Sequence, residues 1–262
     1  MPENGESREF TCGNARVHIH SSSAALGQAA ANRAAHLISA AIERRGRARL
    51  IVATGNSQLA LIEALVRADL DWKAVEIFHM DEYVGMSADH PASFRHWIKT
   101  RVEDKVRPSK ANYLAGDAPD LDKEIERYSR LLNGGPIDLA FVGFGENGHI
   151  AFNDPHVADF HDPATVKRVT LDERCRRQQA GEGHFKDVES VPAEAVTVTC
   201  PGLFRADAWV CCVPDRRKAE AVRCALEGPI SEACPASIAR NHPNADVYLD
   251  WESASLLGAF AA

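Results

Sequence analysis

Phe141-Val142-Gly143-Phe144-Gly145-Glu146-Asn147-Gly148-His149-Ile150-Ala151-Phe152-Asn153-Asp154-Pro155 is the stretch on which the reading of this chain turns. It completes an apolar run, Ile137 to Val142, with the length and composition of a buried strand. Glycines at 143, 145 and 148 follow at once. They let backbone approach backbone or ligand closely, and they tolerate positive φ. One imidazole, His149, shares the loop with several carboxyl and amide groups. Open α/β sheets bind their ligands beyond the carboxyl ends of the strands, so a loop this polar at a strand end is a candidate site. An ordinary βα turn with a solvated histidine has the same local composition, and the choice falls to the rest of the chain.

Upstream, Arg16 to His20 alternates as a half-buried strand, and residues 1–13 read as a loose leader. Ser21-Ser22-Ser23 offers N-caps for an alanine-rich helix over about 22–45, which Arg44-Arg45-Gly46 closes. Leu50 to Ala53 is a second buried strand, and Thr54-Gly55-Asn56-Ser57 then opens a helix to about 70. Strand, glycine turn and helix N-terminus together form a geometry that can cradle phosphate. The turn matches neither G-x-G-x-x-G nor a Walker loop, so a nucleotide motif is not implied. Val75 to Met80 is a third strand, running directly into Asp81-Glu82-Tyr83. A helix is expected from near Ala92 to about 104, with His90, Ser93 and Arg95 at its entrance. Residues 105–118 read as irregular, and Leu121 to Leu132 as an amphipathic helix stopped by Asn133-Gly134-Gly135-Pro136.

Downstream, residues 155–193 form a long, charged, weakly periodic insertion of the kind that serves as lid or linker. Within it, Val166 to Leu171 is strand-like and Asp172 to Ala180 helix-like. Ala195 to Thr199 and Ala208 to Val213 are further strands. Pro214-Asp215-Arg216-Arg217-Lys218 opens a helix to about Leu226, Cys234 to Arg240 reads as a short helix, and Val247 to Asp250 as a last strand. Strands alternating with helices predict an α/β fold, a Rossmann-like three-layer sandwich with a mainly parallel sheet, over one domain spanning 1–262.

Composition narrows the function. The chain has 262 residues, 45% hydrophobic and 26% charged, with a net charge of −7. That balance disfavours non-specific nucleic-acid binding, which needs a basic surface. It leaves room for an anionic small molecule held by local donors. Seven cysteines at 12, 175, 200, 211, 212, 224 and 234 show no C-x-x-C spacing. They fit reduced thiols in a cytoplasmic protein better than disulfides or a zinc site. No secretory h-region and no membrane-spanning run is expected. His149, His156 and His161 lack the spacing that fixes metal ligands, so neither metal nor cofactor is expected.

Thr54-Gly55-Asn56-Ser57, Asp81-Glu82-Tyr83 and the loop bearing His149 and Asp154 all follow strand ends, and parallel strands bring such ends to one edge. A carboxylate, an imidazole with a carboxylate partner and a phosphate cradle suit proton transfer on a sugar phosphate. At this point Met80-Asp81-Glu82-Tyr83-Val84-Gly85, Gly143 to Pro155 and Cys234-Pro235-Ala236-Ser237 together resemble the glucosamine-6-phosphate deaminase (isomerase) family over roughly 15–250. The related 6-phosphogluconolactonases share its fold and a Gly-His loop, without the Ala-Phe-Asn-acid-Pro run. The resemblance implies metal-free conversion of glucosamine 6-phosphate and water to fructose 6-phosphate and ammonia. It implies Asp81 as general base, His149 as ring-opening acid–base and Asp154 as the partner of His149. Thr54, Gly55, Asn56, Ser57 and Lys218 match the phosphate-binding positions. Asn147 joins the catalytic candidates and Glu82 the substrate-binding ones.

Two positions depart from the family's pattern. Asn147 stands where well-studied deaminases have aspartate, and Asp154 where they have glutamate. The family's phosphate-binding arginine has Arg176 and Arg177 as nearest candidates, with Gln178-Gln179 near the expected place. A 6-phosphogluconolactonase, another aminohexose-6-phosphate isomerase and a non-catalytic sugar-phosphate sensor are the alternatives. The expected partner is a small sugar phosphate, with no nucleic acid and no membrane, and a homo-oligomer is compatible with the sequence.

Overall fold

The computed structural model describes residues 7–258. The chain after Asp250 runs through turns to the end of the described range. Eight strands make the central sheet: β1 (Arg8–Cys12), β2 (Ala15–His20), β3 (Ala48–Val52), β4 (Val75–His79), β6 (Lys110–Asn112), β7 (Leu139–Val142), β10 (Trp209–Val213) and β11 (Ala245–Asp250). Their order across the sheet is β1-β2-β11-β10-β7-β3-β4-β6. Every neighbouring pair is parallel except β1 with β2. β3, β7, β10 and β11 are buried along their whole length, as strands covered on both faces must be. The mainly parallel α/β expectation holds.

Three details differ from the sequence reading. Residues 8–12 are not a leader: β1 forms an antiparallel edge, Arg8 facing Ile19 and Cys12 facing Ala15. Its half-exposed, charged sequence hides a strand that needs only one neighbour. The irregular stretch 105–118 contains β6, three residues long and too short for a periodicity signal. The insertion 155–193 is largely built into the fold. β5 (Asp81–Tyr83), β9 (Glu194–Val198) and β8 (Val166–Thr170) form a second, antiparallel sheet.

The helices explain themselves locally. α1 (Ser23–Arg45) is capped by Ser22, whose Oγ accepts from the Ala25 N–H at 3.2 Å. It ends at Gly46, φ 70°, whose N–H reaches the Ile42 carbonyl. Its buried stripe, from Leu26 to Ala41, lies across β10, β11 and β3. α2 (Leu59–Leu65) packs on α1 so closely that a Cβ on Gly27 would stand 2.5 Å from the Ala60 Cβ. α3 (Phe94–Ile98) starts at Ser93 and runs through a π turn, Lys99–Glu103, into α4 (Asp104–Val106). α5 (Leu121–Asn133) sets Tyr128 against the end of β4, where its hydroxyl donates to the His79 carbonyl and accepts the His79 N–H. α6 (Glu173–Gly181) is capped by Asp172, α7 (Cys200–Phe204) by Thr199, and α8 (Ala219–Glu227) follows a 3₁₀ turn, Arg216–Lys218.

β4 and β6 lie on one side of β3 while β7, β10 and β11 lie on the other. The chain thus reverses its direction of travel between β3 and β7, and a crevice opens there beyond the strand ends.

Candidate active site

A cleft of about 490 Å³ occupies that crevice. Thr54 to Ser57 enter it from β3, Asp81 from the end of β4, and Gly143 to Glu146 with His149 from the loop after β7. Pro214 to Lys218 enter from β10, and Asp250 from β11. The convergence expected of the strand ends is realised for Thr54, Gly55, Asn56, Ser57, Asp81 and His149; Lys218 lines the cleft as well, and Asp154 lies behind it.

Two of the turns share one design. Gly55 (φ 90°) and Asp215 (φ 86°) each follow a buried parallel strand and each begin a 3₁₀ turn that becomes a helix. The left-handed φ is strained for a non-glycine residue. At Asp215 it is held from both sides: the Asp250 carboxylate accepts its N–H, and its own side chain caps the Arg217 N–H at 2.9 Å. Both turns line the cleft, so the positive ends of two helices border it. Lys218, only 7% exposed, lies at one of them. Burial lowers its pKa from the ordinary lysine value, opposed by the attraction of Glu146 and Glu182.

Asp81 lies where the chain leaves the parallel sheet for the small one, paired with Thr197 of β9. Burial pushes its carboxyl well above the usual range, and the like charges of Glu82 and Glu182 add to the shift. A carboxylate so placed is a stronger base than an exposed one. His79 fixes its backbone. The Leu114 N–H donates to His79 Nε2 at 2.9 Å, which leaves Nδ1 as the protonated nitrogen facing the Asp81 carbonyl, also at 2.9 Å. Full burial lowers the pKa of His79 to about 3, so this imidazole is a neutral strut.

His149 stands on Gly145: a Cβ there would meet the imidazole at 2.3 Å, so only glycine permits the ring's position. The loop is closed by the Gly145 N–H to the His149 carbonyl at 2.8 Å and tied to β9 by the Phe152 N–H to Thr197 Oγ1 at 3.0 Å. Nδ1 of His149 lies 2.9 Å from Oδ1 of Asp154, an oblique approach outside good hydrogen-bond geometry, so the pairing is chiefly electrostatic. Asp154 is fully buried. Burial alone would raise its carboxyl, but His149, Asn147 and the Asp172 N–H outweigh it and hold the group below its ordinary value.

Asn147, by contrast, does not line the cleft. Its Nδ2 donates to Asp154 Oδ1 and to Asp172 Oδ2, both at 2.9 Å, and its Oδ1 accepts the His149 N–H at 3.0 Å. It is a positioning residue behind the histidine. The amide has a local reason: two carboxylates converge on its NH₂, and a third carboxylate could donate to neither while ionised.

Glu82, expected among the substrate-binding residues, does not line the cleft either. It is fully buried and turned away from the cleft. Ser93 Oγ donates to it at 2.7 Å, the Arg95 N–H at 3.1 Å and the Tyr83 N–H at 3.0 Å, with the Arg95 guanidinium alongside. Ser93 and Arg95 are thereby spent on Glu82. Alternation along β5 explains this, since neighbours on a strand face opposite ways. Arg176 donates to the Val188 and Val191 carbonyls, and Arg177 pairs with Glu173 on the surface; neither lines the cleft.

The charged groups lining the cleft that were not site candidates from sequence include Arg217, next to Lys218, and Glu182, just after α6. Gln178 and Gln179 complete that side: Gln178 Oε1 accepts the Glu146 N–H and Gln179 Oε1 accepts the Tyr83 hydroxyl, both at 2.7 Å. Their only signal was position, at the end of a helix whose packing direction the sequence does not give. His149, Asp154 and Cys175 also bring possible ligand atoms within 4.8 Å of one another, all buried. Asp154 is already occupied by His149, Asn147 and the Asp172 N–H, so this arrangement fits an imidazole held by its carboxylate better than a metal centre.

The fold and cleft define an open α/β protein with a polar cleft at the carboxyl edge of its sheet. Residues 21–249 match the family described as Glucosamine-6-phosphate isomerases/6-phosphogluconolactonase, and the chain belongs to that family. A glucosamine-6-phosphate deaminase of Bacillus cytotoxicus is 35% identical over 221 residues, covering 84% of this chain and 82% of that protein. One from Listeria innocua is 34% identical over 206 residues, covering 79% and 86%. The solved structure of a monomeric glucosamine-6-phosphate deaminase superposes with a TM-score of 0.84 at 32% identity, covering 92% of this chain and 99% of that one. A 6-phosphogluconolactonase from Trypanosoma brucei superposes with a TM-score of 0.75 at 17% identity over 96% and 100%, a likeness of fold alone. Among the described residues no helix is long and apolar enough to cross a membrane.

Proposed function

We propose that this chain is a glucosamine-6-phosphate deaminase, converting glucosamine 6-phosphate and water to fructose 6-phosphate and ammonia. The observation that carries the reading is the meeting, in one cleft, of a buried high-pKa carboxylate, a carboxylate-backed imidazole and two helix N-termini with Lys218. In this reading Thr54 to Ser57, Lys218 and the turn at Asp215 hold the phosphate, and that remote binding energy orients the sugar. His149 passes a proton to the ring oxygen as the pyranose opens, with Asp154 stabilising the charged imidazole. Asp81 takes the proton from C2 and returns it at C1. The 2-imine formed at C2 adds water and releases ammonia, leaving the ketose. Asp81 is the base because burial keeps its proton affinity high, while Asp154 stays ionised; environments that push two carboxyls apart assign their roles.

The test is ammonia release from a panel of 2-amino-2-deoxyhexose 6-phosphates. Glucosamine 6-phosphate is expected as the preferred member, with Asp81→Asn lowering kcat at least about 10²-fold. Turnover of 6-phosphogluconolactone with no ammonia from any aminosugar would overturn the assignment.

A further inference from the structure

We infer that Glu182 is a surrogate anion: its carboxylate occupies the phosphate cradle in the absence of ligand and sets the affinity an incoming anion must exceed. The inference rests on the cradle reading of Thr54 to Ser57 and Lys218 given above. Oε2 of Glu182 lies 3.2 Å from the point where a Cβ on Gly55 would stand, and Oε1 lies 3.7 Å from it. Gly55 is the residue that opens the turn toward the cleft, and its bare Cα leaves the surface on which that carboxylate rests. The same carboxylate attracts both cations of the opposite turn, Lys218 and Arg217, and repels Asp81 across the cleft.

Its attachment is weak. Among the described residues no hydrogen bond and no ion pair closes on the Glu182 side chain; Arg217 is engaged with Asp215, 2.9 Å away. Glu182 follows the last turn of α6, ahead of a run of turns through Val191 without regular structure. A carboxylate held by long-range attraction alone is displaceable. Any phosphate entering the cradle must remove it, or bind beside a like charge. Either route reduces affinity for every anion, so only a ligand that engages the full cradle overcomes it. Displacement also takes a negative charge away from Asp81, lowering the proton affinity of that carboxyl once the ligand is seated.

Inorganic phosphate is the probe, titrated calorimetrically at pH 7.5 into the full-length chain and its variants. Glu182→Gln is expected to bind phosphate about five- to tenfold more tightly than wild type, the size of one charge removed at about 4 Å in a water-filled cleft. Glu182→Asp keeps the charge on a shorter stem and is expected to fall between them. Equal or weaker binding by Glu182→Gln overturns the inference. So does a gain in Glu182→Asp as large as that in Glu182→Gln, because charge would then not be the cause. Lys218→Met separates the two readings. Loss of phosphate binding there, with a gain in Glu182→Gln, supports both. Unaltered binding in Lys218→Met shows that the cradle itself has been misassigned.

Discussion

Asn147→Asp restores the residue type expected from well-studied deaminases, yet here it is expected to be strongly destabilising, by an amount that depends on pH. The native amide donates to two carboxylates, Asp154 and Asp172, each at 2.9 Å. An aspartate at that position meets two like charges. With charge centres about 4 Å apart and an effective dielectric near 20, each repulsion is about 4 kcal/mol. The new carboxyl avoids most of this by keeping its proton, which limits the cost to about 1.4 kcal/mol for each pH unit above its unfolded pKa of about 3.9. The protonated form still donates one of the two hydrogen bonds, and the other loss adds about 1 kcal/mol. The expected deficit is about 6 kcal/mol at pH 7.5 and about 2 kcal/mol at pH 4.5. The sign follows from proton counting. The folded variant binds more protons than the unfolded chain between the two pKa values, so its stability falls as pH rises through that window. Urea unfolding of wild type and variant at both pH values measures the difference. A deficit that is absent, or equal at the two pH values, would refute the reasoning and place Asn147 outside the carboxylate cluster.

Three further expectations concern neighbouring parts. Because burial and like charges raise the Asp81 carboxyl, kcat/KM is expected to fall on the acid side from a pH above the ordinary carboxylate range; a limb at the ordinary aspartate value would argue against Asp81 as base. The same shift makes the folded state lose stability as pH rises between the unfolded and folded values, so inactive Asp81→Asn is expected to melt above wild type at pH 7.5 and to lose that advantage near pH 4. Glu82→Gln replaces one of two buried acceptor oxygens with a donor facing the Ser93 and Arg95 groups, and a loss of about 2–4 kcal/mol in denaturant unfolding is expected. Gly27→Ala gains helix propensity but drives a methyl to 2.5 Å from the Ala60 Cβ and 2.6 Å from its carbonyl carbon, so a net loss of about 1–3 kcal/mol should appear as a lower melting temperature.

The sequence by itself determined the parallel sheet, because apolar runs as short as Leu139 to Val142, bounded by turn residues and alternating with helices, suit strands buried on both faces. It also placed Thr54 to Ser57, Asp81 and His149 together, since parallel strands deliver their carboxyl ends to one edge, while Lys218 came from the family resemblance. Tertiary structure decided what the side chains at those ends face. Asp81 and Glu82 are adjacent in the chain, but β5 points one into the cleft and the other into the Ser93–Arg95 pocket. Asn147 meets a second carboxylate because Asp172, distant in sequence, arrives on its other side. Glu182 reaches Gly55 only because the insertion folds back across the sheet edge. Periodicity records which residues are buried locally; it carries no information about a partner supplied from far along the chain, and each of these three roles depends on one.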